Sequence, residues 1–141
     1  MALIAAPLLR SVPDSGALRE GAALTRPLRV VFICAQNKLR SPTAEAIFRD
    51  SADWEVAPAG THHDAETPVS GDLLEWADVA VCMEKRHRDV LRQRFRGALP
   101  DDRILTLGIP DDYDFMDPEL VSMLRRLVPG RLERIRPRDS K

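Results

Sequence analysis

Apolar residues run almost unbroken from Leu28 to Ile33, with Arg29 the one polar member, and then give way to Cys34 and a polar stretch. A continuous, β-branched run of this kind predicts a strand over residues 29–35, buried on both faces. The pattern then changes period. Residues 41–51 space their apolar positions as a helix, with Ser41 expected as N-cap and Pro42 in the first turn. Residues 54–57 predict a short strand ending at Pro58-Ala59-Gly60, and residues 68–76 a short helix. Residues 78–83 are again apolar and strand-like, and residues 85–95 form a charged helix with Val90, Leu91 and Phe95 on one face. A third clear strand spans 104–109 and is stopped by Pro110. A last helix spans 117–128, capped by Asp117 with Pro118 in its first turn. Strand–helix alternation of this kind predicts an α/β three-layer sandwich, with a small parallel sheet of about four strands flanked by helices.

Residues 1–27 carry no sustained period and are punctuated by Pro7, Pro13, Gly16, Gly21 and Pro27. They read as a flexible N-terminal extension, ahead of a single domain over 28–130. The end of the chain is rich in arginine, and residues 131–141 read as a basic, solvated tail. A chain of 141 residues suffices for one core. Its formal net charge of -1 gives no field that would gather nucleic acid or an anionic membrane. No stretch approaches the ~20 apolar residues of a membrane span. The first ten residues lack a basic start and a small-residue cleavage site, so they do not read as a signal peptide. Two distant cysteines make neither a disulfide framework nor a zinc site, and a cytoplasmic location is expected.

The chemistry gathers where the first strand ends. Cys34, Ala35, Gln36, Asn37, Lys38, Leu39 and Arg40 form a C-x5-R segment, and Ser41-Pro42 opens the helix behind it. The C-terminal ends of strands in open α/β sheets are where ligands bind. A loop entering a helix offers unpaired N–H groups and the positive end of a dipole, which suits a phosphate-sized dianion. Arg40 adds a planar fork for two of its oxygens. The same field favours the thiolate of Cys34, which would then lie beneath the phosphorus as a nucleophile.

This segment resembles the low-molecular-weight protein tyrosine phosphatases. The resemblance rests on Val30 to Cys34, on Asn37, on Arg40-Ser41-Pro42-Thr43-Ala44-Glu45, on Ala59-Gly60-Thr61, on the strand ending at Met83 and on the acidic loop after the last strand. It covers about residues 29–128 and looks closest to a short bacterial branch of that superfamily. It implies that Cys34 forms a cysteinyl-phosphate, that Arg40 binds the phosphate, that Ser41 supports the thiolate and that Asn37 organises the loop. The implied general acid is an Asp on the last loop. Asp111 aligns best, followed by Asp112 and then Asp117, whose pairing with Pro118 is equally explained as a helix cap. Trp54 and Tyr113 fall where the family places two aromatics that sandwich a phenyl ring.

The expected activity is therefore that of a cysteine-dependent phosphomonoesterase. Its substrate would be a phosphorylated protein or a small aryl phosphate, and its product inorganic phosphate, with neither metal nor cofactor. The chain departs from the family at Gln36, where a glycine is usual, and at Leu39, where the family often has a second cysteine. Gln36 and the displaced Asp-Pro keep open an inert phosphate-binding or regulatory module, and the shared fold keeps open an arsenate reductase-like enzyme, for which Cys82 would be the one remaining thiol. His62, His63, Asp64 and Glu66 read as a solvated loop, His87 as surface and Cys82 as core.

Overall fold

The computed structural model describes residues 26–36 and 38–138. The extension assigned to residues 1–27 lies almost wholly outside them, as does Asn37. Four strands, β1 (Leu28–Cys34), β2 (Trp54–Gly60), β3 (Val79–Cys82) and β4 (Ile104–Thr106), form one parallel sheet in the order β2-β1-β3-β4. Four helices connect or follow them: α1 (Arg40–Phe48), α2 (Gly71–Trp76), α3 (Lys85–Arg94) and α4 (Pro118–Leu132). The expected α/β architecture is the observed one.

The sheet buries both faces because its strands are apolar at successive positions. On one face Val30, Phe32 and Cys34 pack with Phe48 of α1 and with Leu120, Leu124 and Val128 of α4. On the other, Val31, Ile33, Ala80 and Cys82 pack with Leu74 of α2 and Leu91 of α3. This division fixes the relation of the two cysteines. Cys82 pairs with Ile33 in register, so its side chain enters the face opposite to that of Cys34. Burial pushes the Cys82 thiol up to about 12, which leaves it inert. A disulfide relay between the two, as an arsenate reductase would need, has no geometric basis here.

Several boundaries differ from the sequence reading. The first helix begins at Arg40, with Leu39 at its N-cap, so Ser41 lies inside the helix and is not a cap. The last strand ends at Thr106 and not at residue 109. Leu107 and Ile109 still donate to the carbonyls of Cys82 and Met83, at 2.9 and 2.8 Å. The last helix continues through Leu132, past the point where the sequence reading ended it, while Asp117 caps it by accepting from the Glu119 N–H at 2.9 Å. Part of the basic end is held firmly. Arg138 donates its guanidinium to the carbonyls of Glu75 and Ala77 at 2.8 and 2.9 Å, closing the C-terminal end of α2.

His87 is a correction. It is buried at 1 % exposure and not on the surface. At the third position of α3, its Nδ1 accepts the backbone N–H of Glu84 at 3.0 Å, while the Glu84 side chain caps the helix in return. Burial first, then the charges of Arg40 and Arg86, hold the imidazole down at about 4, well below its ordinary 6.5. A histidine kept neutral by folding supports stability fully above pH 6.5 and loses that support as pH falls towards 4. The loss amounts to about 3 kcal/mol. Urea unfolding at pH 7 and pH 4.5 should show part of this drop. His87→Gln, which can keep the acceptor but cannot take a proton, should reduce it. An unchanged pH dependence in that variant would remove His87 as the cause.

Candidate active site

Strand order reverses direction at β1, since β2 lies on one side of it and β3 on the other. The crevice beyond the C-terminal ends of β1 and β3 is therefore the expected ligand site. A cavity of about 420 Å³ opens there, lined by Cys34, Ala35, Gln36, Lys38, Leu39, Arg40, His62, Arg86 and Asp111. The loop after β1 is stitched to the loop after β2. Thr61 and His62 donate their N–H groups to the carbonyls of Cys34 and Ala35 at 2.9 and 2.8 Å, and Glu66 donates to Gln36 at 3.3 Å.

At the floor, the Cys34 sulfur lies 3.0 Å from the Ser41 hydroxyl, and both residues are buried. The Ser41 hydroxyl also lies 3.4 Å from the carbonyl of Ala59. It has a single proton, so the two acceptors compete for it. When Cys34 is a thiolate, only Ser41 can donate across the short contact, and that donation stabilises the anion. The Ser41 position, lost as a cap, thus places its hydroxyl against the sulfur.

Arg40 is the largest fully buried side chain of the described residues, at 2 % exposure. A buried guanidinium needs partners on several sides. Its Nη1 donates to the Ile109 carbonyl at 2.7 Å and lies 3.1 Å from a carboxylate oxygen of Glu84, while its Nε lies 3.7 Å from Asp111. Three strand ends thus converge on one cation: Glu84 follows β3, Ile109 and Asp111 follow β4, and Arg40 itself follows β1. Glu84 also pairs with Arg86. Burial would raise the Glu84 carboxyl, but the hydrogen bond from Arg86 and the charges of Arg40 and Arg86 outweigh it and hold the acid below its usual range. Glu84 is thus an anion beside Arg40 at neutral pH.

Of the residues expected from sequence, the cavity brings together Cys34, Ala35, Gln36, Lys38, Leu39, Arg40 and Asp111, with Ser41 behind the sulfur. Asp112 is exposed and Asp117 is occupied as a helix cap; neither lines the cavity. Tyr113 packs against the α1–α4 side of the core and is not a lining residue. Trp54 is a clear correction. It pairs with Leu28 at the start of β1, six residues from Cys34. Strand rise puts it about 20 Å away. There it makes an edge contact with Phe48 and lines a separate cleft of about 520 Å³ at the opposite end of the sheet. It cannot wall the Cys34 cavity.

Glu84, Arg86 and His62 enter the site without having been assigned to it. Glu84 and Arg86 had a usable signal, because they directly follow an apolar strand, where α/β ligand sites collect. His62 follows β2 in the same way. His62, His63 and Asp64 place potential ligand atoms within 4.8 Å of one another, but all three are exposed.

No family model matches the chain. A curated protein-arginine-phosphatase of Bacillus subtilis (strain 168) is 25% identical to it over 142 residues, covering 70% of this chain and 93% of that protein. Among solved structures, a low-molecular-weight protein tyrosine phosphatase from T. tengcongensis superposes with a TM-score of 0.59 at 23% identity, covering 73% of this chain and 99% of the other. One from Streptococcus pyogenes gives 0.63 at 16% identity, covering 79% and 95%. The four-stranded fold described above is the one these structures share.

Proposed function

We propose that this chain, which has the fold of the low-molecular-weight protein tyrosine phosphatase superfamily, hydrolyses phosphate monoesters through a cysteinyl-phosphate. One observation carries the reading: the Cys34 sulfur, 3.0 Å from the Ser41 hydroxyl, shares a cavity with the buried guanidinium of Arg40. In the first step the Cys34 thiolate attacks phosphorus and the bond to the leaving oxygen breaks. Asp111, half-exposed on the cavity wall, gives that oxygen its proton. In the second step Asp111 takes a proton from water, the water oxygen bonds to phosphorus and the sulfur leaves. Arg40 and the amides entering α1 stabilise the charge that builds on the equatorial oxygens in both steps.

The physiological substrate is a phosphorylated protein or a small phosphate ester. The aryl preference expected from two flanking aromatics loses support, since neither Trp54 nor Tyr113 lines the cavity. A second reading follows from that lining. The carboxylate of Asp111 on the cavity wall would suit a cationic leaving group such as the guanidinium of a phosphoarginine, the chemistry carried in the name of the curated relative. Hydrolysis of matched phosphotyrosine and phosphoarginine peptides decides between the two.

The general assignment is tested by pH–rate profiles with p-nitrophenyl phosphate. The wild-type profile should fall on its alkaline side as the acid deprotonates, and Asp111→Asn should lose that fall together with about 10²-fold or more in rate. If Asp112→Asn loses it instead, the acid is Asp112. Vanadate binding without hydrolysis of any ester at any pH would leave an inert oxyanion-binding module.

A further inference from the structure

A single buried hydroxyl joins the phosphate loop to the loop that carries Asp111. Thr43 lies in the first turn of α1 with no exposed surface. Its Oγ1 donates to the carbonyl of Leu39, the last residue of the phosphate loop, at 2.6 Å. The same oxygen accepts the backbone N–H of Met116 at 2.9 Å. The two bonds are compatible, since a hydroxyl has one proton to give and lone pairs to receive.

Met116 is the one described non-glycine residue with a positive φ, at 62°. A side chain in this left-handed region is strained and persists where neighbours hold it. Met116 also stands 42 % exposed beside Phe115 at 52 %, so apolar burial does not explain its posture. Its N–H bond to Thr43 does supply a reason. The far side of the loop is fixed separately, where Asp117 donates its N–H to the Asp114 carbonyl at 3.0 Å and caps α4. The near side is fixed where Arg40 holds the Ile109 carbonyl. Between these anchors, Met116 is where the acidic loop is tied to α1 through a side chain that faces neither solvent nor the cavity.

The geometry points to Thr43 as a positioning residue for proton transfer, which sets the distance between the acid loop and the phosphate loop. This rests on the reading of Asp111 as the proton donor. Thr43→Val keeps shape and volume and removes both hydrogen bonds, whereas Thr43→Ser keeps them.

The test uses a series of aryl phosphates whose leaving phenols span a wide range of pKa. A good leaving group needs little help from an acid; a poor one needs much. Thr43→Val should hydrolyse phenyl phosphate about tenfold to a hundredfold more slowly relative to p-nitrophenyl phosphate than wild type does, with vanadate affinity unchanged. Thr43→Ser should restore the wild-type ratio. Thr43→Ala carries the same comparison should the valine variant not fold. An unchanged phenyl-to-nitrophenyl ratio in these variants, beside a lowered ratio in Asp111→Asn, overturns the role of Thr43 alone. Equal losses on both esters with weaker vanadate binding also overturn it, because Thr43 would then hold only the phosphate loop. An unchanged ratio in Asp111→Asn itself overturns the acid assignment instead.

Discussion

Cys34→Ser should lose turnover by about 10⁴-fold or more while keeping vanadate affinity within a few-fold. The size of the effect follows from what the substitution removes. A thiol becomes a competent nucleophile once its proton leaves; Ser41 stands 3.0 Å from the sulfur, and the loop runs into the N-terminal end of α1. An alcohol at the same place has a far higher pKa and stays protonated, so it is a much poorer nucleophile. The oxyanion partners should be untouched, because Arg40 is held in place by Ile109 and Glu84. Stopped-flow turnover and calorimetric vanadate binding separate the two functions. Turnover equal to wild type in this variant would mean that the nucleophile lies elsewhere.

Asp78→Ala should destabilise the fold by about 3–5 kcal/mol, measured by urea unfolding at pH 7. Asp78 is fully buried, yet it accepts four hydrogen bonds. Two come from the Arg26 guanidinium at 2.6 and 2.9 Å, one from the Arg29 N–H at 2.8 Å and one from the Arg138 N–H at 2.7 Å. Burial alone would raise its pKa. The donors outweigh burial, those of Arg26 and the Arg138 backbone foremost, and bring the carboxyl down to about 2 from 3.8. A depressed acid contributes its stability above its unfolded value, and that contribution disappears as pH falls from about 4 to about 2. Removing the carboxylate leaves Arg26 and two backbone donors to find new partners. A loss below about 1 kcal/mol would show that water replaces them readily.

The gathering of Cys34, Arg40 and Ser41 at one end of the sheet was legible because local rules coincide there. An apolar strand and a C-x5-R loop leading into a helix point to the same end of the sheet, although the helix starts at Arg40 and not at Ser41. The fold class was legible for a similar reason, since period and punctuation agree along the chain. What failed depended on register. Trp54 begins β2 and Cys34 ends β1, and in a parallel pair the start of one strand lies a full strand length from the end of its neighbour. Matching by sequence position alone could not see this, although six residues separate Trp54 from Gly60, the residue that does sit beside Cys34. His87 failed because charged neighbours mask a helical spacing. It lies four residues before the buried Leu91 and so shares its inward face. Glu84 could have been flagged from its place after an apolar strand, but its pairing with Arg40 could not, since that residue arrives from another strand.

Arg26 donates to the backbone carbonyl of Arg138 at 2.9 Å, so two points 112 positions apart along the chain meet at the pole farthest from Cys34. Such closeness makes a circular permutant practicable: in a chain without residues 1–25 and 139–141, a short Gly-Ser bridge could join residue 138 directly to residue 26, and new ends could be cut in the exposed turn around Gly97. Chemistry at the other pole would then be carried by a backbone whose beginning and end have been exchanged.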